Sequence, residues 1–483
     1  MPPDPALQRL DGFPYVHRVA DVMVSPVLTA SPQASLQETV ARLQAQRSGS
    51  CLVVDAEGKA IGILTERDLL NAVGRFGPQA LERPLGALMS APVQWIAPDA
   101  LLYRAIARMD RLRLRHLAVL DAHGRPLGML TTRALLRVRA GGALAIGDAV
   151  ETAPDAATLR AAHDQLPALA KGLLAEGIAA ADISAVVSAI TRDITARAAG
   201  LAESEMKAAG ESAAPAPWCL LVLGSAGRGE SLLAPDQDNA LIVADGGAAH
   251  IEGWFARWSE RLNALLDQAG IPFCKGGVMA RNRAFRRSES EWRAEIERWI
   301  RRPEGEALLN VDIFFDAMAV AGDAAIAERL AAFARVAASQ ALPFLRLLAE
   351  AGTAHRPPLG LFGRLKLEDG RLDLKRGGLL PIVAAARVMA LKMAAADTGT
   401  DQRLAAAAAG GRIGADNAAG LALARRIIAR TILGQQLADI DAGRPPGNRI
   451  DPRRLTRAER RDLKQALEAA GEASELVQDV LTS

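Results

Sequence analysis

The spacing of apolar residues changes character within the first third of this chain. Leu36, Val40 and Leu43 recur every three to four residues, which predicts an amphipathic helix. Two short apolar runs follow, Cys51–Val54 and Ile61–Leu64, with a polar, glycine-containing turn between them. Short apolar runs bounded by turn residues are typical of buried strands, so this pair predicts a hairpin, after which a second helix begins.

This pattern occurs twice. Residues 20–75 and 86–141 match at a fixed offset of 66 residues without a gap. The matched pairs include Met23 with Met89, Pro26 with Pro92, Asp55 with Asp121, Gly62 with Gly128, Thr65 with Thr131 and Arg67 with Arg133. A gapless repeat of this length predicts two copies of one β-α-β-β-α unit.

The pattern becomes alanine-rich and helical from about residue 142 until the apolar run Leu220–Leu223. A second apolar run, Ala240–Val243, predicts a neighbouring strand. The segment between these runs holds a glycine-rich turn, Gly224–Gly229, and then an Asp-x-Asp pattern.

Asp236 and Asp238 are two residues apart at the start of the second run. On a strand both carboxylates leave the same face, and paired carboxylates repel unless a cation such as Mg²⁺ lies between them. The turn at Gly224 and Ser225 offers backbone N–H groups to phosphate. The combination predicts nucleotidyl transfer, while Pro235-Asp236-Gln237-Asp238 as an ordinary turn is the alternative.

Further along, the run 309–316 predicts another strand, on which Asp312 and Asp316 share a face. Nucleotidyl transfer with two metals uses a third carboxylate on a neighbouring strand. Asp312 is interpreted as a solvated residue at the strand edge. The tryptophans of this region lie on apolar helix stripes and are interpreted as core residues.

Residues from about 324 to 483 are predicted to be helical, and the helices 384–394 and 421–437 to pack as a bundle. A basic glycine turn, 372–382, interrupts them. Lys375 in this turn is suited to holding a triphosphate, but the turn fits equally well as a helix C-cap with its basic residues at the favourable end of the dipole. Arg425, Arg426 and Arg430 are interpreted as a solvated face.

Size and composition narrow the class of protein. A chain of 483 residues with a net charge of +3 predicts two to four domains, and the absence of a basic block argues against nucleic acid as a partner. The three cysteines are far apart in sequence, which favours a reducing compartment over disulfides or a zinc site. The sequence shows neither a signal peptide nor a membrane-spanning run, so we expect a soluble cytoplasmic protein without a membrane partner.

The repeat, with its Met-x-x-Pro-Val openings and Gly-Ile-Leu-Thr-Glu-Arg-Asp closing the first copy, resembles a tandem CBS pair. This resemblance implies a bound adenine nucleotide such as AMP or ATP, with Thr65 and Asp68 at its phosphate and ribose, and a homodimer formed through the pair. Thr65 and Asp68 also form a capping-box pattern. In the second copy Ala134 replaces the aspartate, so at most one good nucleotide site is expected.

The glycine turn and Asp-x-Asp resemble the signature of polymerase-β-like nucleotidyltransferases. Residues 19–480 as a whole resemble the CBS-linked nucleotidyltransferases, which are related to protein PII uridylyltransferases and glutamine synthetase adenylyltransferases. The resemblance implies that Asp316 is the third carboxylate, a metal ligand or base, and that Arg228 and Lys375 contact the nucleotide. Met318 stands where the family pattern often has arginine.

We therefore expect a multidomain α/β protein: an N-terminal extension (1–18), a CBS pair (19–141, with copies 19–76 and 84–141), a helical linker region (142–214), a nucleotidyltransferase α/β domain (215–325) and a helical substrate-binding-type domain (326–483). The expected function is Mg²⁺-dependent transfer of UMP or AMP from a nucleoside triphosphate to an acceptor, such as a protein of the PII type, under CBS control. The alternatives are a non-enzymatic nucleotide sensor and a small-molecule nucleotidyltransferase of the antibiotic-resistance type.

Overall fold

The computed structural model describes residues 14, 17–46, 48–246, 249–302, 312–360 and 364–482. They fall into two compact units, Met1–Leu144 and Ala145–Ser483. Within the described ranges, no helix is both long enough and apolar enough to cross a membrane.

The first unit contains the predicted repeat. Its first copy comprises β1 (Thr29–Ala30), α1 (Leu36–Ala45), β2 (Ser50–Val54), β3 (Ala60–Thr65) and α2 (Glu66–Phe76). Its second copy comprises β4 (Trp95–Ile96), α3 (Leu102–Arg111), β5 (His116–Leu120), β6 (Pro126–Thr131) and the start of α4 (Thr132–Glu151), a helix that continues past Leu144 into the second unit. Each copy forms a three-stranded sheet whose first two strands are parallel and whose last two are antiparallel. The prediction of two β-α-β-β-α units is confirmed.

The hairpin turns show why the repeat folds twice in the same way. The carboxylate of Asp55 accepts the backbone N–H groups of Glu57 and Lys59, and that of Asp121 accepts those of the equivalent His123 and Arg125. The glycines that follow, Gly58 and Gly124, both have φ of +80°, a conformation that glycine adopts without strain. Identical turn chemistry therefore fixes the register of both hairpins.

The two copies exchange their entry segments. Val24, which precedes the first strand of the first copy, bridges to Met129 on β6, and Ser90, which precedes the first strand of the second copy, bridges to Ile63 on β3. A Cβ atom at Gly62 would lie 2.3 Å from the sulfur of Met89, which enters with Ser90. The absence of a side chain at this position lets the entry segment of the other copy lie against the sheet.

The second unit begins with α5 (Ala156–His163), α6 (Leu166–Ala175) and α7 (Ala180–Ala208). A four-stranded sheet follows, with strand order β10–β7–β8–β9, made of β7 (Trp218–Val222), β8 (Asn239–Val243), β9 (Arg286–Ser288) and β10 (Met318–Gly322). Its helices are α8 (Gly224–Arg228), α9 (Ala249–Gln268) and α10 (Glu289–Arg301). All five residues of β8 are buried, and four of them form the apolar run Ala240–Val243.

One strand prediction is wrong. Residues 312–314 are helical, Asp316 lies in a turn, and the strand begins only at Met318; residues 309–311 lie outside the described residues. The two-residue period therefore does not apply to Asp312 and Asp316. A short apolar run does not by itself distinguish a strand from a buried helical turn.

The remaining elements are mainly helical: α11 (Ala324–Ser339), α12 (Leu342–Thr353), α13 (Leu380–Lys392), α14 (Thr400–Ala409), α15 (Ala415–Asp441) and α16 (Arg457–Thr482). Strands β11 (Leu372–Asp373) and β12 (Arg449–Ile450) pair antiparallel. Helix α13 is buried on nearly every side, as expected for a helix without a polar stripe. One apolar core joins the sheet to these helices.

Four tryptophans belong to the core. Trp254, Trp258, Trp292 and Trp299 are at most 5% exposed, so the interpretation of these residues as core rather than as base-stacking platforms is confirmed. Trp292 stacks on Phe314 with ring centroids 4.8 Å apart, which secures the turn that leads to Asp316.

Candidate functional site

The two ends of the loop between β7 and β8 are hydrogen-bonded to each other. The backbone N–H of Leu223 donates to the carbonyl of Asp238 (2.9 Å), which closes the loop at its base. Between them α8 makes a single turn that ends at Gly229, in the left-handed conformation. The turn residues and the second aspartate are thereby held side by side.

Asp236 and Asp238 are brought together, but not by strand geometry. Strand β8 begins at Asn239, so both aspartates lie in the loop before it. Their carboxylates and the sulfur of Cys274 each offer one ligand atom, and these three atoms lie within 4.8 Å of one another. Asp236 is exposed, while Asp238 and Cys274 are half-buried. This group is able to hold a cation that remains accessible to a ligand from solvent.

The electrostatics of the group favour a cation. Burial, together with the charge of Asp236, raises the pKa of Asp238 to about 6, although a hydrogen bond from Cys274 and the charges of Lys375 and Arg228 oppose the rise. Burial and the Asp238 charge raise the pKa of the Cys274 thiol to about 11, so the thiol is protonated and donates to Asp238. A positive ion bound between the two carboxylates would offset the charge of Asp236 that acts on Asp238.

A buried polar network holds the aspartate loop in place. The side chain of Gln237 donates to the carbonyls of Asn263 (3.0 Å) and Ile271 (2.7 Å), and Asn263 donates back to Gln237 (2.7 Å). Asn239 accepts from the N–H of Ala280 (2.8 Å) and from Asn263 (3.2 Å). The side chains of Gln237 and Asn239 are thus fixed in the interior. The neighbouring Asp236 and Asp238 are left to form the cation group with Cys274.

This network was missed in the sequence. A recognisable signal exists, since Asn263 is a lone amide on the apolar side of α9, and buried polar side chains need partners. The sequence does not reveal that its partner is the residue between the two aspartates.

Asp316 is not part of the cation group. Its side chain is fully buried and accepts from Arg228 (2.5 Å), from Arg387 (2.6 and 3.0 Å) and from Arg403 (2.6 Å). Burial by itself would raise the pKa of Asp316, but the charges of these arginines outweigh it and hold the pKa well below the ordinary value. In this arrangement Asp316 is an anchor for three guanidinium groups, and the predicted third ligand of the metal site is not in place.

Arg228 is likewise engaged within the protein. Its guanidinium is 9% exposed and donates to Glu230 (2.8 Å) as well as to Asp316. Glu230 also accepts from the N–H of Thr400 at the start of α14 (2.8 Å). The predicted contact of Arg228 with nucleotide would require these bonds to break, so the geometry favours a role in fixing α8.

The same ionic network corrects the interpretation of two other residues. Arg425 is buried and donates to Asp401 (2.7 Å), whereas Arg426 and Arg430 are exposed as expected. Asp312 is half-buried and bonds Arg387, so it is not a solvated strand-edge residue. Arg387 and Arg403 were not identified in the sequence, because an isolated arginine in an alanine-rich helix gives no sign that it is buried.

The turn that contains Lys375 begins a helix and does not end one. Residues Lys375–Leu379 form a π-helical turn that leads directly into α13, so the basic residues stand at a helix start and the C-cap alternative is wrong. Lys375 is exposed, and its charge lowers the pKa of Asp238. Among the predicted phosphate ligands, it is the cation that remains available to solvent near the aspartates.

In the first unit, Thr65 and Asp68 form the capping box at the start of α2. The N–H and hydroxyl of Thr65 donate to Asp68 (2.8 and 2.6 Å), and the Ser90 hydroxyl donates to the other carboxylate oxygen (2.8 Å). In the second copy Thr131 accepts from the N–H of Ala134 (2.9 Å), without a carboxylate. The two copies therefore present different groups at equivalent positions.

Fold and site together define a class of protein: a chain with a CBS-type repeat and a loop between two sheet strands in which paired aspartates lie beside a glycine turn, in the manner of nucleotidyltransferases. Family models match three parts of the sequence, described as "Putative nucleotidyltransferase DUF294" (residues 164–306), "Putative nucleotidyltransferase substrate binding domain" (343–481) and "CBS domain" (19–75 and 85–141). The chain belongs to this family of CBS-containing nucleotidyltransferase-type proteins.

Individual relatives cover a smaller part of the chain. An uncharacterized protein of Methanopyrus kandleri is 30% identical over 120 residues, which are 25% of this chain and 61% of that protein. A CBS-domain-containing protein of Agrobacterium tumefaciens, known by crystal structure, is 29% identical over 25% of this chain and 92% of its own (TM-score 0.24). A CBS domain protein of Pyrobaculum aerophilum, solved with AMP, is 22% identical over 25% of this chain and 90% of its own (TM-score 0.23).

Proposed function

We propose that this protein transfers a nucleoside monophosphate, UMP or AMP, from a nucleoside triphosphate to an acceptor hydroxyl. The observation that carries the proposal is the group formed by Asp236, Asp238 and Cys274, which lies at the closed base of a glycine-rich loop. Asp236 and Asp238 would hold Mg²⁺, because carboxylate oxygens are its preferred ligands and the two carboxylates offer ligand atoms within 4.8 Å of each other. When bound, the ion supplies charge neutralisation for the triphosphate.

The chain's own contribution begins with Gly224. Its φ is +57°, and a Cβ atom there would lie 3.1 Å from a carboxylate oxygen of Asp238. Glycine lets the backbone approach the aspartate closely, so phosphates on the N–H groups of Gly224 and Ser225 would lie next to the cation. Lys375, in the π-helical turn before α13, would add a positive charge that orients the triphosphate before reaction.

Asp316 supports this chemistry indirectly in our proposal. Its strongly lowered pKa makes it a weak proton acceptor, so we assign it the positioning of Arg228 and thereby of α8, rather than the role of general base. The acceptor is proposed to be a hydroxyl on a separate molecule, of which a regulatory protein of the PII type is one candidate.

The test is pyrophosphate release by the full-length protein with Mg²⁺ and ATP or UTP, measured with and without candidate acceptors. Release that stops when the cation is chelated would support the proposal. Calorimetric binding of the nucleotides without release under any condition would instead support a binding-only sensor. That second function is favoured by one observation, the absence of Asp316 from the ligand group.

We further propose that the CBS pair binds an adenine nucleotide, AMP or ATP, at Thr65 and Asp68. Replacing Asp68 with alanine is expected to weaken AMP binding by about 10-fold or more, because a charged hydrogen-bonding group is lost. Calorimetry on the full chain measures this. Thr131→Ala, which changes the capping threonine of the copy that has Ala134 in place of the aspartate, is the control and is expected to leave the affinity within about 2-fold. Equal losses in both variants would contradict the assignment of the site to the first copy.

A further inference from the structure

A second concave site lies in the C-terminal half of the second unit. It is an open cavity of about 780 Å³, which we call the basic cavity, lined by β11 and β12, by the π-helical turn, and by the segment after α15. Its lining includes five cations: Arg371, Lys375, Arg376, Arg444 and Arg449. Its volume is within the range of cavities that hold small molecules.

The carboxylates of the basic cavity are already occupied. Asp439 accepts from Gln435 (3.0 Å) and Arg444 (2.8 Å), and Asp373 accepts the backbone N–H of Arg376 (3.0 Å). Lys375 and Arg376, by contrast, are exposed and form no ion pair with a carboxylate among the residues that the structure describes. The cavity therefore presents uncompensated positive charge, which favours an anionic ligand.

The fold keeps these two cations on the outside of the turn. A Cβ atom at Gly377 would lie 2.7 Å from the Pro358 ring, and one at Gly378 would lie 3.1 Å from Ile428. The two glycines thus let the turn pack closely against Pro358 and Ile428, while Lys375 and Arg376 are exposed. A π-helical turn at such a position is often associated with function.

The cavity lies against the loop that carries the candidate cation site, because Gln436 accepts the backbone N–H of Leu233 in that loop (2.9 Å) and donates to Asn448 of the cavity lining (3.2 Å). We propose that the basic cavity binds a phosphate-bearing small molecule, and that this molecule is the acceptor of the nucleotidyl group. The assignment rests on the proposed function, because an acceptor has meaning only if the transfer occurs. A ligand anchored by its phosphate at Arg376 and Arg371 would extend past Lys375 toward the α-phosphate of the nucleotide.

The same chemistry has a second possible source, the β- and γ-phosphates of the nucleoside triphosphate itself. Titration of the full-length protein with inorganic tripolyphosphate in excess Mg²⁺, with and without a saturating non-hydrolysable nucleoside triphosphate, separates the two. Binding that persists beside the saturating nucleotide supports an anion site separate from the nucleotide, which the acceptor assignment requires. Complete displacement by the nucleotide overturns the acceptor assignment.

Variants locate the site. Arg376→Gln is expected to weaken the nucleotide-independent binding of tripolyphosphate by about 10-fold, as for the loss of one charged hydrogen bond. Arg301→Gln, an exposed arginine on α10, is the matched control and should leave the affinity unchanged. Equal affinity in Arg376→Gln and the wild type overturns the proposal. These binding measurements do not depend on turnover, so an absence of pyrophosphate release would count against the proposed function alone.

Discussion

Asp238→Asn is expected to lower the rate of pyrophosphate release at least about 100-fold, because a metal ion contributes several kcal/mol of charge stabilisation and each 1.4 kcal/mol corresponds to a factor of ten. The change removes one charge from a group in which three ligand atoms lie within 4.8 Å of one another. The amide keeps the size of the side chain, so the polar network around Gln237 and Asn239 is expected to remain. The rate is measured with saturating nucleotide and Mg²⁺, together with the affinity for Mn²⁺ as a second readout.

Asp245→Asn is the matched control. Asp245 follows the opposite end of β8, is exposed, and accepts from Ser290 (2.7 and 3.0 Å), a function that an asparagine oxygen also performs. We expect its turnover to match the wild type. Turnover retained in Asp238→Asn would contradict the assignment of the cation site.

Asp316→Asn is expected to lower the free energy of unfolding by about 3–5 kcal/mol, the usual cost of leaving a buried charge without its partner. Arg228, Arg387 and Arg403 all donate to this carboxylate, and it is fully buried. Among the described residues, the neutral amide would leave the three guanidinium groups with Glu230 and Asp312 as their anionic partners. Equilibrium unfolding in urea measures the change.

The pH dependence of this effect follows from the lowered pKa of Asp316. A carboxyl whose pKa is lower in the folded state stabilises the protein above its unfolded pKa of about 3.9 and loses that contribution as the pH falls through the folded pKa. The difference between wild type and Asp316→Asn should thus be constant from pH 8 to about 5 and shrink below about pH 4. Asp441→Asn, which removes an exposed pair with Lys171, should change stability little at any pH. Equal effects of the two variants would show that the buried network is not a major source of stability.

The repeat was predictable from sequence because its evidence is local. Each copy contains its own helix spacing, its own hairpin turn at Asp55 or Asp121, and its own glycine with φ of +80°. Because the two copies match at a fixed offset, each element is predicted twice. A wrong assignment in one copy would therefore disagree with the assignment in the other. For the same reason the pairing of Asp236 with Asp238 was predictable, although the loop rather than a strand brings them together.

The ionic network was not predictable, since its members are distant in sequence. Asp316 meets arginines that precede it by 88 residues and follow it by 71 and 87 residues. Each arginine on its own has the pattern of a solvated helix residue, and its burial becomes visible only in the structure, where all three meet at Asp316. The strand predicted over 309–316 failed for a related reason, because an apolar run reports burial and not the form of the backbone.

The exchange of entry segments between the two repeat copies has a consequence for how this unit arose and how it can be divided. Val24 completes the sheet of the second copy and Ser90 that of the first, so a single copy expressed alone would leave a sheet edge uncovered. Such an edge pairs readily with another chain, and a lone copy would be expected to complete itself from a neighbour. The covalent duplication in this protein can be understood as an internalised dimer, in which one polypeptide supplies both partners at fixed stoichiometry while each copy is free to diverge, as Asp68 and Ala134 have done.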